Sequence, residues 1–314
     1  MTAHARPLPE TAIPAGQARI RAAGALRLLT WPALEASGAD AAVTARSGGV
    51  SSGPYATLNL SLSVGDDPVN VLENRRRLAA ALGARPDDFV FARQVHGAGV
   101  RIVGEADAGS GAFSLDDAIP DTDALVTRTP GVLLAILTAD CVPIVLHDPV
   151  AGVLACVHAG WRGTVARVSA VALAAMKSLG ARPSQVIAGV GPAVPPARYQ
   201  VGPDVYQAVT GAFGPAAAAF IRPDAVPDRW LLDLWAANRF ALHDAGVPAA
   251  QIHVTDLPTG PIDAPAPATL ADPVDPASPA RPGHFFSDRA ARPCGRLALV
   301  ARLRAAPRPM DVTP

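Results

Sequence analysis

The sequence predicts a mixed fold class, α/β or α+β, built around a sizeable core. Short apolar runs of strand length are interleaved with longer stretches whose apolar residues recur at helical spacing. Half of the 314 residues are hydrophobic and only 17% are charged, so a substantial core is accessible. No internal repeat is visible, and the length permits one large domain or two modest ones.

Residues 1–25 are rich in Pro, Ala and Arg without periodicity and are expected to form a disordered tail. Strands are expected at Leu26–Trp31 and Ala41–Ala45. The stretch from Arg46 to Ser63 reads as a Gly/Ser-rich loop with strand character in its later part. Val71, Leu72, Leu78 and Leu82 fall at helical spacing within Pro68–Gly83, with Asn70 or Asp67 as the cap and Gly83 as the stop. Phe89–Val95 and Val100–Val103 read as strands, Asp107–Asp121 as a surface loop, and Ala124–Thr127 and Val132–Leu137 as further strands. Two runs, Val142–Leu146 and Val153–Val157, flank the turn chemistry of Asp148-Pro149 and Ala151-Gly152, the pattern of a hairpin. A helix is expected over Val165–Leu179, a strand over Val186–Gly191, helices over Pro203–Phe213 and Leu232–Ala245, and strands at Gln251–Val254 and Leu297–Leu303. Residues 258–283 are Pro/Ala/Asp-rich and too poor in apolar surface to order themselves, so they read as an insertion loop. Residues 306–314 read as a C-terminal tail.

Lys plus Arg equals Asp plus Glu at 27 each, a balance that favours neither nucleic acid nor a membrane surface. The three cysteines, Cys141, Cys156 and Cys294, are too few and odd in number for a disulfide framework, which fits a reducing compartment. No apolar run reaches the length of a membrane span, and the first residues lack the apolar segment of a secretory signal. The expected location is the cytoplasm.

The chemistry gathers at the ends of three runs. Cys141 stands just before the first arm of the hairpin and His158 just after the second, so pairing brings both to one end. There a thiol and an imidazole can share a metal or a proton. His96 closes another run, FARQVHG, and is followed by a glycine. Two imidazoles and a thiolate with a fourth position open are the catalytic form of a zinc site. Cys156, inside VLACV, reads as core, and Cys294 as a bystander. His4, His147, His243, His253 and His284 occupy tail, turn, helix, strand and loop positions and read as structural or solvated. The strand, glycine-flanked turn and helix start around AGWRGT suit an anion.

Taken together, TADC-VP, VHAGWRGT, QVHG, RSGGVSSGPYATLNLS and GPAVPPARYQVG resemble the YfiH family from about Leu26 to Leu303. That family is also called multicopper polyphenol oxidoreductase, laccase-domain protein or bacterial purine nucleoside phosphorylase. The resemblance implies a single α/β domain over 26–305, with a mixed β-sheet core flanked by helices, similar to some cysteine-hydrolase-like toxins. It implies His96, Cys141 and His158 as metal ligands and, with Asp140, as the catalytic set. Zn²⁺ suits these donors; Cu²⁺ is the alternative, which would need an axial ligand. Zinc would activate water, and attack of hydroxide on C6 of adenine with loss of ammonia is the deaminase reaction.

Implied substrates are a purine nucleoside (adenosine, inosine or methylthioadenosine) and phosphate, taken by a monomer or homodimer with no nucleic-acid or membrane partner. Arg46 beside Gly48-Gly49 is a candidate phosphate cradle and Arg162 a second anion contact. Asn59 and Gln94 are candidates to read the purine or ribose edge. Asp140 either orients a ligand or carries a proton, or else caps backbone. Other readings are a copper-dependent phenol oxidase, a cysteine hydrolase with Cys141 as nucleophile (a peptidoglycan editing factor), and a metal-stabilised binding protein. The chain departs from the family pattern at Gln200, where a carboxylate is usual, at Asp288 and Ala290 in FFSDRA, and at Val254-Thr255, where the family has Cys-Thr.

Overall fold

The computed structural model describes residues 18–261 and 283–304. The expected tail up to residue 17, the expected insertion over 262–282 and the residues from 305 onward lie outside the described residues. The first half of the chain runs β1 (Arg19–Ala23), β2 (Leu26–Thr30), α1 (Pro32–Ala36), β3 (Ala39–Thr44), α2 (Pro68–Ala81), β4 (Phe89–Phe91), β5 (Val100–Ile102), β6 (Ala124–Thr127), β7 (Leu133–Thr138), β8 (Val142–Asp148) and β9 (Val153–Ala159). The second runs α3 (Trp161–Val165), α4 (Val168–Ser178), β10 (Ile187–Val190), β11 (Gln200–Val201), α5 (Pro203–Phe213), β12 (Ile221–Pro223), β13 (Trp230–Leu232), α6 (Leu234–Asp244), β14 (Ile252–Val254) and β15 (Leu297–Leu303).

Two six-stranded sheets form the centre, ordered β1-β2-β3-β15-β7-β4 and β14-β10-β8-β9-β6-β5, with a small sheet β11-β13-β12 beside them. Both large sheets are mixed: β4 with β7, β5 with β6 and β10 with β14 are parallel, and the other pairs antiparallel. The two-residue period of a strand sorts the side chains. Val43, Ile136, Leu297 and Leu299 of the first sheet pack on Leu125, Val145, Leu154 and Cys156 of the second. The alternate residues face outward. Ala42, Ala135 and Val300 lie under Leu78 and Ala79 of α2. Ile144, Val157 and Val190 lie under Leu173 of α4, Val209 of α5 and Leu242 of α6. The layers are therefore helix, sheet, sheet, helix. The α/β class with outer helices stands; the expected single sheet is a stacked pair, because strands buried on both faces read as apolar runs that do not name a partner.

Several expectations are corrected. Arg19–Ala23, assigned to the tail, pairs antiparallel with β2 from Arg19↔Thr30 to Ala23↔Leu26. Pro258, assigned to the insertion, bridges Ala193, so the body of the fold extends past it. The later part of Arg46–Ser63 contains no strand, only a short turn of helix at Gly53–Tyr55. The strand expected to Val95 stops at Phe91. The helix expected over Val165–Leu179 is two helices broken at Arg167, whose φ is +57°. The Arg167 guanidinium lies 4.0 Å over the Phe213 ring and bonds Asp244 at 3.1 Å, which holds the break in place. The three short strands β11, β13 and β12 carry too few residues to show a period.

The hairpin forms as expected, with Val142 opposite Ala159 and Pro143 opposite His158. Asp148 shapes its turn by accepting the Val150 and Ala151 N–H groups at 2.9 and 3.0 Å. Helix α2 starts on Asp67, whose carboxylate accepts the Val69 N–H at 2.9 Å, and the chain turns away at Gly83 with φ +60°.

Candidate metal centre

Three segments converge at the open end of the hairpin. The first leaves the sheet after β4. There Gln94 takes the place of a strand: its amide donates to Leu137 O and accepts from Leu137 N, both at 2.8 Å. The chain then turns through His96, whose φ of +60° lies in the left-handed region where a side chain is strained. A carboxylate holds that turn. Asp123 accepts the N–H groups of Gly97 at 2.7 Å, His96 at 3.0 Å and Val95 at 3.3 Å.

The second segment joins β7 of one sheet to β8 of the other and carries Cys141. Asp140 turns at φ +85°, and both its oxygens are engaged. One accepts the Thr259 hydroxyl at 2.5 Å and the other the Arg289 N–H at 2.6 Å. The third is the end of β9, where His158 is 3% exposed and its Nδ1 lies 2.8 Å from the Asp123 carboxylate.

One donor atom each from His96, Cys141 and His158 lies within 4.8 Å of the others. The two imidazole rings meet edge to face, with centroids 4.8 Å apart. His158 is buried, Cys141 half-buried and His96 exposed, so the group opens to one side. Gly160 makes room for it: a Cβ there would stand 2.9 Å from Cys141 Sγ and 3.2 Å from a His96 ring carbon. Burial opposes ionisation of Cys141, but His158 and His96 outweigh it by charge and hydrogen bonding and bring the thiol to about 6. Burial likewise opposes charge on His158, but Cys141 and Asp123 raise it to about 9. The donor set, its compact spacing and a carboxylate behind His158 fit a zinc ion. By contrast Cys156 is fully buried, and burial alone pushes its thiol up, as the core assignment requires.

The other expected site residues divide. Arg162 is exposed, its guanidinium 4.4 Å over the Trp161 ring with no hydrogen bond or ion pair among the described residues. It remains available to an anion. Arg46 is half-buried, donates to Ala56 O at 2.9 and 2.7 Å and lies 4.7 Å over Phe286. The amide nest expected beside it is partly spent. The Gly49 N–H goes to Thr57 Oγ1 at 3.1 Å and the Val50 N–H to Asn74 at 2.8 Å. Asn59 is a correction. It is 0% exposed and spends its amide on Ser61, Asp66 and the Arg296 N–H, with no face left for a ligand. Gln94 is half-buried and bonds Leu137 through one N–H and its oxygen, a backbone-supporting role that leaves its second N–H unspent. Asp140 acts on backbone and on Thr259, the second of the two roles expected for it.

Asp123 was missed. Its sequence signal is a carboxylate immediately before the apolar run Ala124–Thr127. Tyr199 and Arg289 were missed as well. The Arg289 guanidinium lies 5.0 Å over the Tyr199 ring and donates to Gln200 O at 3.0 Å. Tyr199 is 9% exposed, and its hydroxyl is pushed up by burial and then by the Cys141 charge nearby. Gln200, where the family pattern has a carboxylate, donates to Asp224 at 2.7 Å, an acid that a glutamate would repel.

No described helix is long and apolar enough to cross a membrane. Residues 40–304 match the family described as multi-copper polyphenol oxidoreductase laccase. A purine nucleoside phosphorylase of Deinococcus radiodurans is 48% identical over 206 residues, 66% of this chain and 75% of that one. Adenosine deaminase RL5, from an unknown prokaryotic organism, is 40% identical over 198 residues, 63% of this chain and 75% of that one. The crystal structure of YlmD from Geobacillus stearothermophilus superposes with a TM-score of 0.79 at 34% identity, covering 91% of this chain and 98% of that one. With motifs, fold and the three-donor group in agreement, the chain belongs to the multi-copper polyphenol oxidoreductase laccase family, the laccase-domain or YfiH family.

Proposed function

We propose that the protein is a zinc-dependent purine nucleoside phosphorylase with adenosine deaminase activity at the same centre. The observation that carries this is the convergence of His96, Cys141 and His158 within 4.8 Å, open on the His96 side, in a chain whose relatives bear those two names. Zinc, when bound, supplies Lewis acidity at that point. The two histidines draw the Cys141 thiol well below the usual range of a thiol, toward the anionic donor a cation needs. His158 keeps Nδ1 on Asp123 and offers its other nitrogen to the group. Arg162 carries an unspent guanidinium, the feature that suits a phosphate oxyanion. In phosphorolysis a phosphate oxygen bonds C1′ while the glycosidic bond breaks and its electron pair leaves with the base. Adenosine, inosine and methylthioadenosine are the proposed nucleosides.

The test is incubation of purified, metal-loaded protein with adenosine, with and without phosphate. Adenine and ribose 1-phosphate should appear only with phosphate, ammonia should appear from adenosine in either case, and both should vanish in Cys141→Ala. If ribose 1-phosphate never forms, the phosphorylase assignment is wrong. A copper-dependent phenol oxidase would use the same three donors, and metal analysis of the purified protein separates it.

A cysteine hydrolase is favoured by one observation: Cys141, His158 and Asp123 form a nucleophile, base and orienting carboxylate in line. In that case a chelator leaves activity intact and a thiol alkylator abolishes it.

A further inference from the structure

We propose that Asp123 is the positioning residue that makes the two histidines one unit. It fixes which nitrogen His158 presents and locks the left-handed turn that presents His96. The inference rests on the metal reading of the centre and not on the substrate.

An ionised carboxylate has about four acceptor positions. Four N–H groups meet this one. His158 Nδ1 at 2.8 Å and the His96 backbone N–H at 3.0 Å share one oxygen. The Gly97 N–H at 2.7 Å and the Val95 N–H at 3.3 Å share the other. Asp123 is 0% exposed, so water cannot replace a lost partner. Its main chain is tied as tightly: the Asp123 N–H donates to Gly99 O at 2.8 Å, and Asp123 O accepts the His158 N–H at 2.7 Å.

Two consequences follow from the chemistry of the groups. With Nδ1 as donor to Asp123, the Nε2 lone pair of His158 is the one left for the group that contains the Cys141 sulfur. Residue 96 stays at its strained φ of +60° because three consecutive N–H groups converge on one anion. One oxygen serves both histidines, so the ring of His158 and the backbone of His96 cannot shift independently. Asp123 stands behind the imidazole, where it orients a ligand without itself being one.

Asparagine is nearly isosteric but offers one oxygen and one NH₂. In either orientation its NH₂ faces two N–H donors, either the His158/His96 pair or the Gly97/Val95 pair. Asp123→Asn therefore releases the tautomer or the turn. The expected loss of zinc affinity is about 10- to 100-fold, the range for orienting partners of metal-bound histidines.

The experiment compares full-length wild type with Asp123→Asn. Zinc affinity is read by competition with a chromophoric chelator, the visible absorption is recorded with Co²⁺ in place of zinc, and thermal melts are run on the metal-free proteins. Weakened affinity and an altered Co²⁺ band, with the metal-free melt still cooperative, support the proposal. Affinity within twofold of wild type and an unchanged band overturn it. Should the variant fail to fold, nitrogen-15 histidine spectra of zinc-loaded wild type decide: His158 must carry its proton on Nδ1 and the metal on Nε2, and the reverse overturns the proposal. A wild type that binds no zinc sinks the metal reading and the proposal together. A wild type that binds zinc no better than the variant sinks the proposal alone.

Discussion

Gly160 sets how closely a thiol and an imidazole approach one another. Its φ is −72°, which any residue adopts, so its role is space and not backbone freedom. Gly160→Ala puts a methyl group 2.9 Å from Cys141 Sγ and 3.2 Å from His96 Cδ2. Overpacking of this kind costs about 1–3 kcal/mol, and here the strain falls on two donors. The expected result is a loss of metal affinity of about tenfold or more with the fold intact, read by chelator competition beside a thermal melt. A second residue, His147, titrates away from the site. It is 2% exposed, lies 2.9 Å from the Ser37 hydroxyl, and burial pulls its pKa from 6.5 down to about 4. Between those values the unfolded chain holds a proton that the folded chain lacks, so stability rises with pH through the window. It is complete above about pH 6.5 and falls as pH drops toward 4, by about 3 kcal/mol in all. Urea melts between pH 7 and 4 should show this slope, and His147→Gln should flatten it. The core place of Cys156 was legible from its apolar neighbours, whereas Cys141 stood out by its strand start together with the family motif. Asp123 was not legible, because a carboxylate before a strand looks the same whether it faces water or two histidines.

At the scale of the element, helix α2 shows what periodicity leaves out. Its limits were readable, since Asp67 caps it and Gly83 turns the chain away. Its buried face was only half readable. Val71 and Leu78 are inside as the spacing predicts, but so are Asn74 and Arg75, at 0% and 2% exposure. Arg75 donates to Leu60 O at 3.0 and 2.8 Å, to Gly111 O at 2.6 Å and to Ala112 O at 2.8 Å, and lies 3.9 Å over the Phe91 ring. Burial draws its pKa down to about 10, so it stays charged at neutral pH. One guanidinium thus binds together a stretch that read from sequence as a loop with strand character and another that read as a surface loop. Arg75→Ala strands three buried carbonyls, each worth about 1–3 kcal/mol, and is expected to remove at least about 3 kcal/mol. The urea midpoint should fall with little change in slope. A midpoint within the error of wild type would mean that water satisfies those carbonyls and the loops hold themselves.

Across the whole molecule the candidate centre sits where the two sheets exchange the chain. His96 follows β4 of the first sheet, Cys141 lies on the link from β7 to β8 of the second, and His158 ends β9 of the second. The sequence showed the hairpin that joins two of these ligands, because its turn and its two runs are local. It did not show the stacking of the sheets, which depends on which face of each strand meets which partner across hundreds of residues. An ion held at this junction would clamp both sheets as well as serve chemistry, and it would bind the folded chain far better than the unfolded one. At a free zinc concentration one hundred times its dissociation constant, that linkage adds about 2.7 kcal/mol to stability. For a domain of this size the gain corresponds to several degrees in melting temperature. Removing metal with a chelator should therefore lower the wild-type melting temperature by that amount, and adding zinc back should restore it. Cys141→Ala should melt at one temperature with or without zinc, since two imidazoles alone hold the ion weakly and one of them is exposed. If wild type melts identically in chelator and in saturating zinc, the three donors are not clamped by an ion, and the Cys141–His158–Asp123 line becomes the better account of the site.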